Sequence, residues 1–310
     1  MAAGGGTKAI IAALAANAGI AAAKFVGFLI TGSSSMLAES VHSVADTSNQ
    51  GLLLLGQKTA QREADSRHPF GYGRDRYFYS FVVALLLFTL GSAFALYEGI
   101  HKVQHPEDLT SPIVAIAILS VAIGLETFSF RTAIAEARKV KGEVSWWRFI
   151  RQSKSPELPV VLLEDAGALF GLIFAFAGVG LSVITGDPVW DGIGTIVIGL
   201  LLGVIAIFLI VEMKSLLIGE GSNPVELRTI TEELAAGKVE RVIHIRTQYI
   251  GPEELLVAAK VALPPGLPAA DVAQAIDDAE LRVRTKVPAA RLIYLEPDLD
   301  RSRTIDAKLS

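Results

Sequence analysis

Six stretches of the chain, residues 9–31, 36–58, 77–99, 112–133, 158–185 and 189–217, approach or exceed the roughly 20 apolar residues that cross the hydrocarbon of a bilayer. Backbone N–H and C=O groups find no water there, so each such stretch must satisfy its own hydrogen bonds and folds as a helix. A mean hydropathy of +0.47 and 51% hydrophobic residues also exceed what a soluble domain needs. The sequence therefore reads as an α-helical membrane protein with a six-helix transmembrane bundle. The first stretch is too long for a signal peptide and no convincing small-residue cleavage site follows it, so it is expected to be a retained helix.

Loop charges orient this bundle. Lys58, Arg62, Arg67, Arg74 and Arg76 follow the second stretch, and Arg131, Arg138, Lys139, Lys141, Arg148, Arg151 and Lys154 follow the fourth. The alternate loops hold a single basic residue, Lys102. By the positive-inside rule both termini face the cytoplasm, as in a multi-pass protein of the cell (inner) membrane. Topology accounts for the basic residues, and with a net charge of -4 nothing is left to suit nucleic acid. Trp146, Trp147, Phe149 and Ile150 lie among these cations and suit a short interfacial helix.

The composition becomes that of a soluble domain after Leu217, so the expected boundary separates residues 1–218 from residues 219–310. Residues 225–236 and 269–286 have helical periodicity, whereas 239–249, 255–263 and 291–295 read as strands. The order α-β-β-α-β predicts a small cytoplasmic α+β module of ferredoxin-like type, with Gly251 and Pro252 in its hairpin turn.

The chemistry concentrates in the second stretch. His42 and Asp46 are four residues apart, on one helical face, inside an apolar segment. Ionisable groups are costly at that depth unless they bind or relay an ion, or close a buried hydrogen bond between helices. Cysteine is absent, so the strong ligand types left are His, Asp, Glu and Asn. Asn49 shares the face of His42 and Asp46, about 10 Å along the axis from His42. In the fifth stretch Glu164 and Asp165 are neighbours about 100° apart around the helix, so the two carboxylates cannot point equally at one ion. Glu126 lies within the fourth stretch at a comparable depth, where it either lines a cavity or pairs with another helix.

Six spans with both ends inside, a basic loop and an α+β tail resemble the cation diffusion facilitator family of divalent-metal/proton antiporters. The resemblance covers almost the whole chain. It is carried by the stretch from Ala38 to Asp46, the loop from Asp65 to Gly73, the Tyr97-Glu98-Gly99-Ile100 exit of the third span, and residues 217–221. Ser129-Phe130, residues 161–165 and the long basic loop look most like the branch that includes animal mitochondrial zinc exporters. The resemblance implies a transport site built from His42, Asp46 and Asp165. The fourth family position falls on Val161, which supplies no ligand, leaving Asn49, Glu164, Glu126 or water to complete the shell. Asp65 and His68 match a second metal site, but Tyr72 stands at its next histidine position, which implies weak binding or none. The tail's two-metal cluster maps onto Ile243, Lys260, Tyr294 and Glu296, with His244 one position away, so the tail is expected to fold without metal.

The activity so implied is secondary export of a divalent cation, zinc favoured, from the cytoplasm in exchange for protons. The protein is expected to work in the lipid bilayer as a homodimer, without a cofactor and not as an enzyme. Manganese, iron or cobalt transport on the same fold, or a non-transporting scaffold, are the alternatives. No phosphate-cradling motif points to ATP as the driving force.

Overall fold

The computed structural model describes residues 19–299. It divides into two compact units, one from residues up to 59 with 75–214, the other from 60–74 with residues 215 onward.

The first unit is a helical bundle. Its elements are α1 (Gly19–Thr31), α2 (Ser34–Ala60), α3 (Asp75–Leu86), α4 (Phe94–Gln104), α5 (Pro112–Lys141), α6 (Trp146–Gln152), α7 (Glu157–Thr185) and α8 (Val189–Ile218). A π-helical segment, Leu87–Ala93, joins α3 to α4, so that Asp75–Gln104 forms one span. Among the described residues four helices are long and apolar enough to cross a membrane: Asp75–Gln104, α5, α7 and α8. The expected first span lies partly outside the described residues. The expected second, α2, has the length at 27 residues, but buried Glu39, Ser40, His42, Ser43 and Asn49 make it a helix that needs neighbours on its polar side. Large apolar side chains such as Ile113, Phe128, Ile184 and Val204 point outward, as hydrocarbon allows.

Local signals set the helix ends. Pro112 opens α5 with a φ suited to a first turn, and Gly186, at φ 69°, closes α7 in the left-handed region. The helix α5 runs past the expected end at residue 133 to Lys141, because its basic last turn suits the negative end of the helix dipole. The short helix α6 forms where the tryptophans suggested, capped by the Ser145 hydroxyl. Phe149 then packs with Ala137 of α5 and Leu162 of α7.

Where α2 meets α8, small residues and one acid make a clasp. The Asp191 carboxylate, fully buried, accepts from the Ser33 hydroxyl at 3.0 Å, the Ser34 backbone N–H at 2.9 Å and the Ser34 hydroxyl at 3.1 Å. The Ser35 hydroxyl donates to the Asp191 carbonyl at 3.1 Å, and Thr195 bonds both Ser34 and Ser35.

The second unit contains α9 (Pro224–Leu234), β1 (Arg241–Gly251), β2 (Glu254–Ala262), α10 (Ala269–Lys286) and β3 (Leu292–Asp298), the expected order. An Asn223–Glu226 capping box starts α9. The sheet has the order β1-β2-β3, with an antiparallel β1–β2 hairpin and a parallel β2–β3 pair joined through α10. Leu255, Val257, Ala259 and Val261 alternate onto one face and pack against Ile230, Leu234, Ala275, Ala279 and Val283 of the two helices. The loop 60–74 belongs to this unit. A Cβ on its Gly73 would lie 2.9 Å from the Cα of Gly251, an approach only glycine permits.

Candidate metal centre

Four helices of the bundle surround a small polar cavity of about 20 Å³. It is lined by Ser43, Asp46 and Gln50 of α2, Glu126 and Ser129 of α5, and Glu164 and Asp165 of α7, with Ile20 of α1. That volume holds one water or one small ion. Four carboxylates thus converge inside the bundle, from three of its helices.

Glu164 and Asp165 divide between neighbours as their 100° offset requires. Asn49 donates its side-chain amide to Glu164 at 2.5 Å. Asp165 turns the other way and accepts from the Ser129 hydroxyl of α5 at 3.1 Å. Glu126 lines the cavity between them.

His42 approaches Asp46 with Nδ1 3.6 Å from Oδ1, but its ring does not line the cavity. It lies against the π segment, where a Cβ on Gly91 would come within 3.8 Å of Nδ1. Both His42 nitrogens, Asp46 Oδ1 and Asn49 Oδ1 are buried without a hydrogen-bond partner. Among the described residues no group of three His, Asp or Glu side chains closes tightly enough to grip an ion. Asp46, Glu126, Glu164 and Asp165 therefore share one cavity, Asn49 is tied to its edge through Glu164, and His42 stands one turn away.

Two residues that the motif reading did not single out adjoin this site. Lys24 of α1, 1% exposed, places Nζ 3.2 Å from Glu39 and 2.8 Å from the Ser43 hydroxyl. A lysine in the middle of an apolar stretch was the signal, since its buried charge demands a partner.

In the loop 60–74, Asp65 accepts from the Arg67 and His68 N–H groups at 2.9 and 2.7 Å and from the Tyr72 hydroxyl at 2.7 Å. The Tyr72 hydroxyl above all, with these N–H groups, holds the Asp65 carboxyl down at about 2. His68 stacks on Tyr72, 4.4 Å between ring centroids, and Arg62 covers the tyrosine's ring at 4.2 Å. The aspartate is engaged in closing the turn. In the tail, His244, Lys260, Tyr294 and Glu296 line one groove of about 480 Å³. Lys260 there bridges Glu296 at 2.9 Å and Asp298 at 3.3 Å, bonds that raise its pKa above the ordinary lysine value. An ammonium group thus sits in the groove onto which the sequence resemblance maps a metal cluster.

A small acid-lined cavity inside a bundle of apolar helices, followed by a three-stranded α+β tail, defines a multi-pass membrane protein. Residues 10–218 match the cation efflux transmembrane domain, and the chain belongs to that family. It is 35% identical over 258 residues to the proton-coupled zinc antiporter SLC30A9, mitochondrial, of Xenopus laevis, covering 82% of this chain and 46% of that protein. It is 30% identical over 257 residues to metal tolerance protein C4 of Arabidopsis thaliana, covering 82% and 56%. With the zinc transporter ZitB of Pectobacterium atrosepticum it shares 24% over 265 residues, 84% and 77%. The chain spans about half the length of the first of these relatives. The resemblance to the cation diffusion facilitators, on the side of the animal mitochondrial branch, is thus borne out.

Proposed function

We propose that this chain is a secondary transporter that moves divalent metal ions, zinc foremost, out of the cytoplasm in exchange for protons. The observation that carries the reading is the single-ion cavity among Asp46, Glu126, Glu164 and Asp165, with His42 one turn along α2. Metal ligands must be deprotonated, so such a site takes either the metal or protons. Carboxyl groups that share so small a cavity cannot all stay ionised without a cation, so protons occupy them when metal is absent and a divalent ion entering the cavity displaces them. Rocking of helices around a site within the membrane supplies alternating access. Both termini lie in the cytoplasm, in the cell (inner) membrane, and two copies associate through the tail.

A second reading has a specific observation behind it. The cavity walls offer oxygen ligands and His42 stands outside them, a set that suits manganese, iron or cobalt. Reconstituted protein under an inward-directed proton gradient separates the readings. Zinc flux coupled to proton counterflow, lost in Asp46→Asn and in Asp165→Asn while both variants stay folded, is the expected result. Manganese flux exceeding zinc flux selects the second reading, and undiminished zinc flux in Asp165→Asn overturns the site.

A further inference from the structure

The Lys24–Glu39 pair is buried at 1% and 0% exposure beside the cavity. Apolar residues of similar volume usually replace a buried ion pair without loss of stability, so packing alone does not account for it. Glu39 lies on the α2 face that carries His42 and Asp46, three and seven residues further on and about 10 Å along the axis from Asp46. Its Oε2 meets Lys24, while Oε1 is buried without a hydrogen-bond partner. That oxygen points at Gly171 of α7, where a Cβ would lie 2.6 Å away, so glycine keeps the carboxylate clear of the opposite helix. Both His42 nitrogens are likewise buried without a hydrogen-bond partner, although Nδ1 lies 3.6 Å from Asp46, so one face of α2 carries two side chains with unpartnered ligand atoms. Lys24 links the two places, since the Ser43 hydroxyl it reaches is part of the cavity wall.

We propose that Glu39 and His42 form a second metal subsite one step along α2 from the Asp46 cavity, and that the Lys24 ammonium is the tethered cation that fills it when no metal is there. A divalent ion passing Asp46 meets an acidic side chain already balanced by a lysine and is not trapped. The lysine swings back to Glu39 as the ion leaves. The proposal rests on the Asp46 cavity being the loading site.

Equilibrium dialysis of the purified full chain with zinc tests it. One ion per chain is expected for the unmodified protein, two for Lys24→Gln, which keeps a donor to Ser43 and Glu39 without the charge, and one again for Lys24→Gln/Glu39→Gln. A single ion in folded Lys24→Gln, or a second ion that survives Glu39→Gln, overturns the proposal. Glu39→Gln alone provides a test that does not need the lysine variant to fold. Its loading Kd should stay within about threefold while zinc flux falls about tenfold, and an unchanged flux overturns the proposal. Loss of loading only in Asp46→Asn supports the cavity, and its persistence there overturns the loading site and this proposal with it.

Discussion

Replacing Asp191 with asparagine should loosen the junction of α2 and α8 by an amount that its hydrogen bonds set. One carboxylate oxygen serves the Ser34 N–H and hydroxyl and the other serves the Ser33 hydroxyl, all within 2.9–3.1 Å and fully buried. Asparagine keeps one acceptor, and its amide nitrogen must then face a group that donates. Loss of one charge-assisted bond costs about 1.5–3 kcal/mol. Removing the negative charge from the start of α2 adds about 0.3–1 kcal/mol. A central value of about 3 kcal/mol, at roughly 2–4 °C per kcal/mol for a unit of this size, lowers the melting temperature by about 6–12 °C. Thermal unfolding of the detergent-purified protein, followed by intrinsic fluorescence, reads this directly. Ser34→Ala alone should cost less, because the backbone N–H remains, and the double variant should fall short of the sum of the two. A melting point for Asp191→Asn within about 2 °C of the unmodified protein would refute the claim that the carboxylate caps α2.

In Glu164→Gln the amide still accepts from Asn49 but cannot titrate. Zinc Kd should stay within about fivefold while the pH dependence of flux flattens, whereas a collapse of affinity shows Glu164 to be a ligand at the Val161 deficit. Tyr72→Phe removes the hydrogen bond that does most to lower the Asp65 carboxyl, which should move up from about 2 toward its ordinary 3.8. A depressed carboxylate contributes above its unfolded pKa and loses that contribution as pH falls through the folded one. The loop's stabilisation by Asp65 is therefore present at neutral pH and lost from about pH 4 down to about pH 2, where carbon NMR of labelled aspartate follows it. Residues 219–310, with a core of their own, should melt at the same temperature in chelator and in zinc, since Lys260 occupies the acidic groove. A large rise with zinc points to a tail site that Lys260 does not block.

Much of the architecture was legible because helical and strand periods are local properties of sequence. Residues 269–286 matched α10 at both ends, and the strands shifted by one to three residues. The 100° offset between Glu164 and Asp165 is reflected in their hydrogen-bond partners, Asn49 and Ser129, although both side chains line the one cavity. Spacing could not reveal what opposes each side chain. His42 and Asp46 share a face, yet the ring meets the π segment while the carboxylate enters the cavity, a distinction set by helices far away in sequence. Lys24 and Glu39 are fifteen residues apart on different helices, so only the tertiary fold pairs them. The π turn itself leaves no period to detect in a seven-residue segment.

That turn has a mechanical meaning for the bundle. Residues 87–93 wind with an excess over the α-helical count, and Gly91 within them lies against His42. If the segment tightened into an ordinary α-helix, the residues beyond it would turn by about 100° and advance by about 1.5 Å relative to those before. Ser92, now bonded to the Gly199 carbonyl of α8 at 2.8 Å, would have to let go, and a different side chain would come to face the imidazole. The span thus behaves like a screw with one spare thread, able to change what His42 sees without any helix leaving its place.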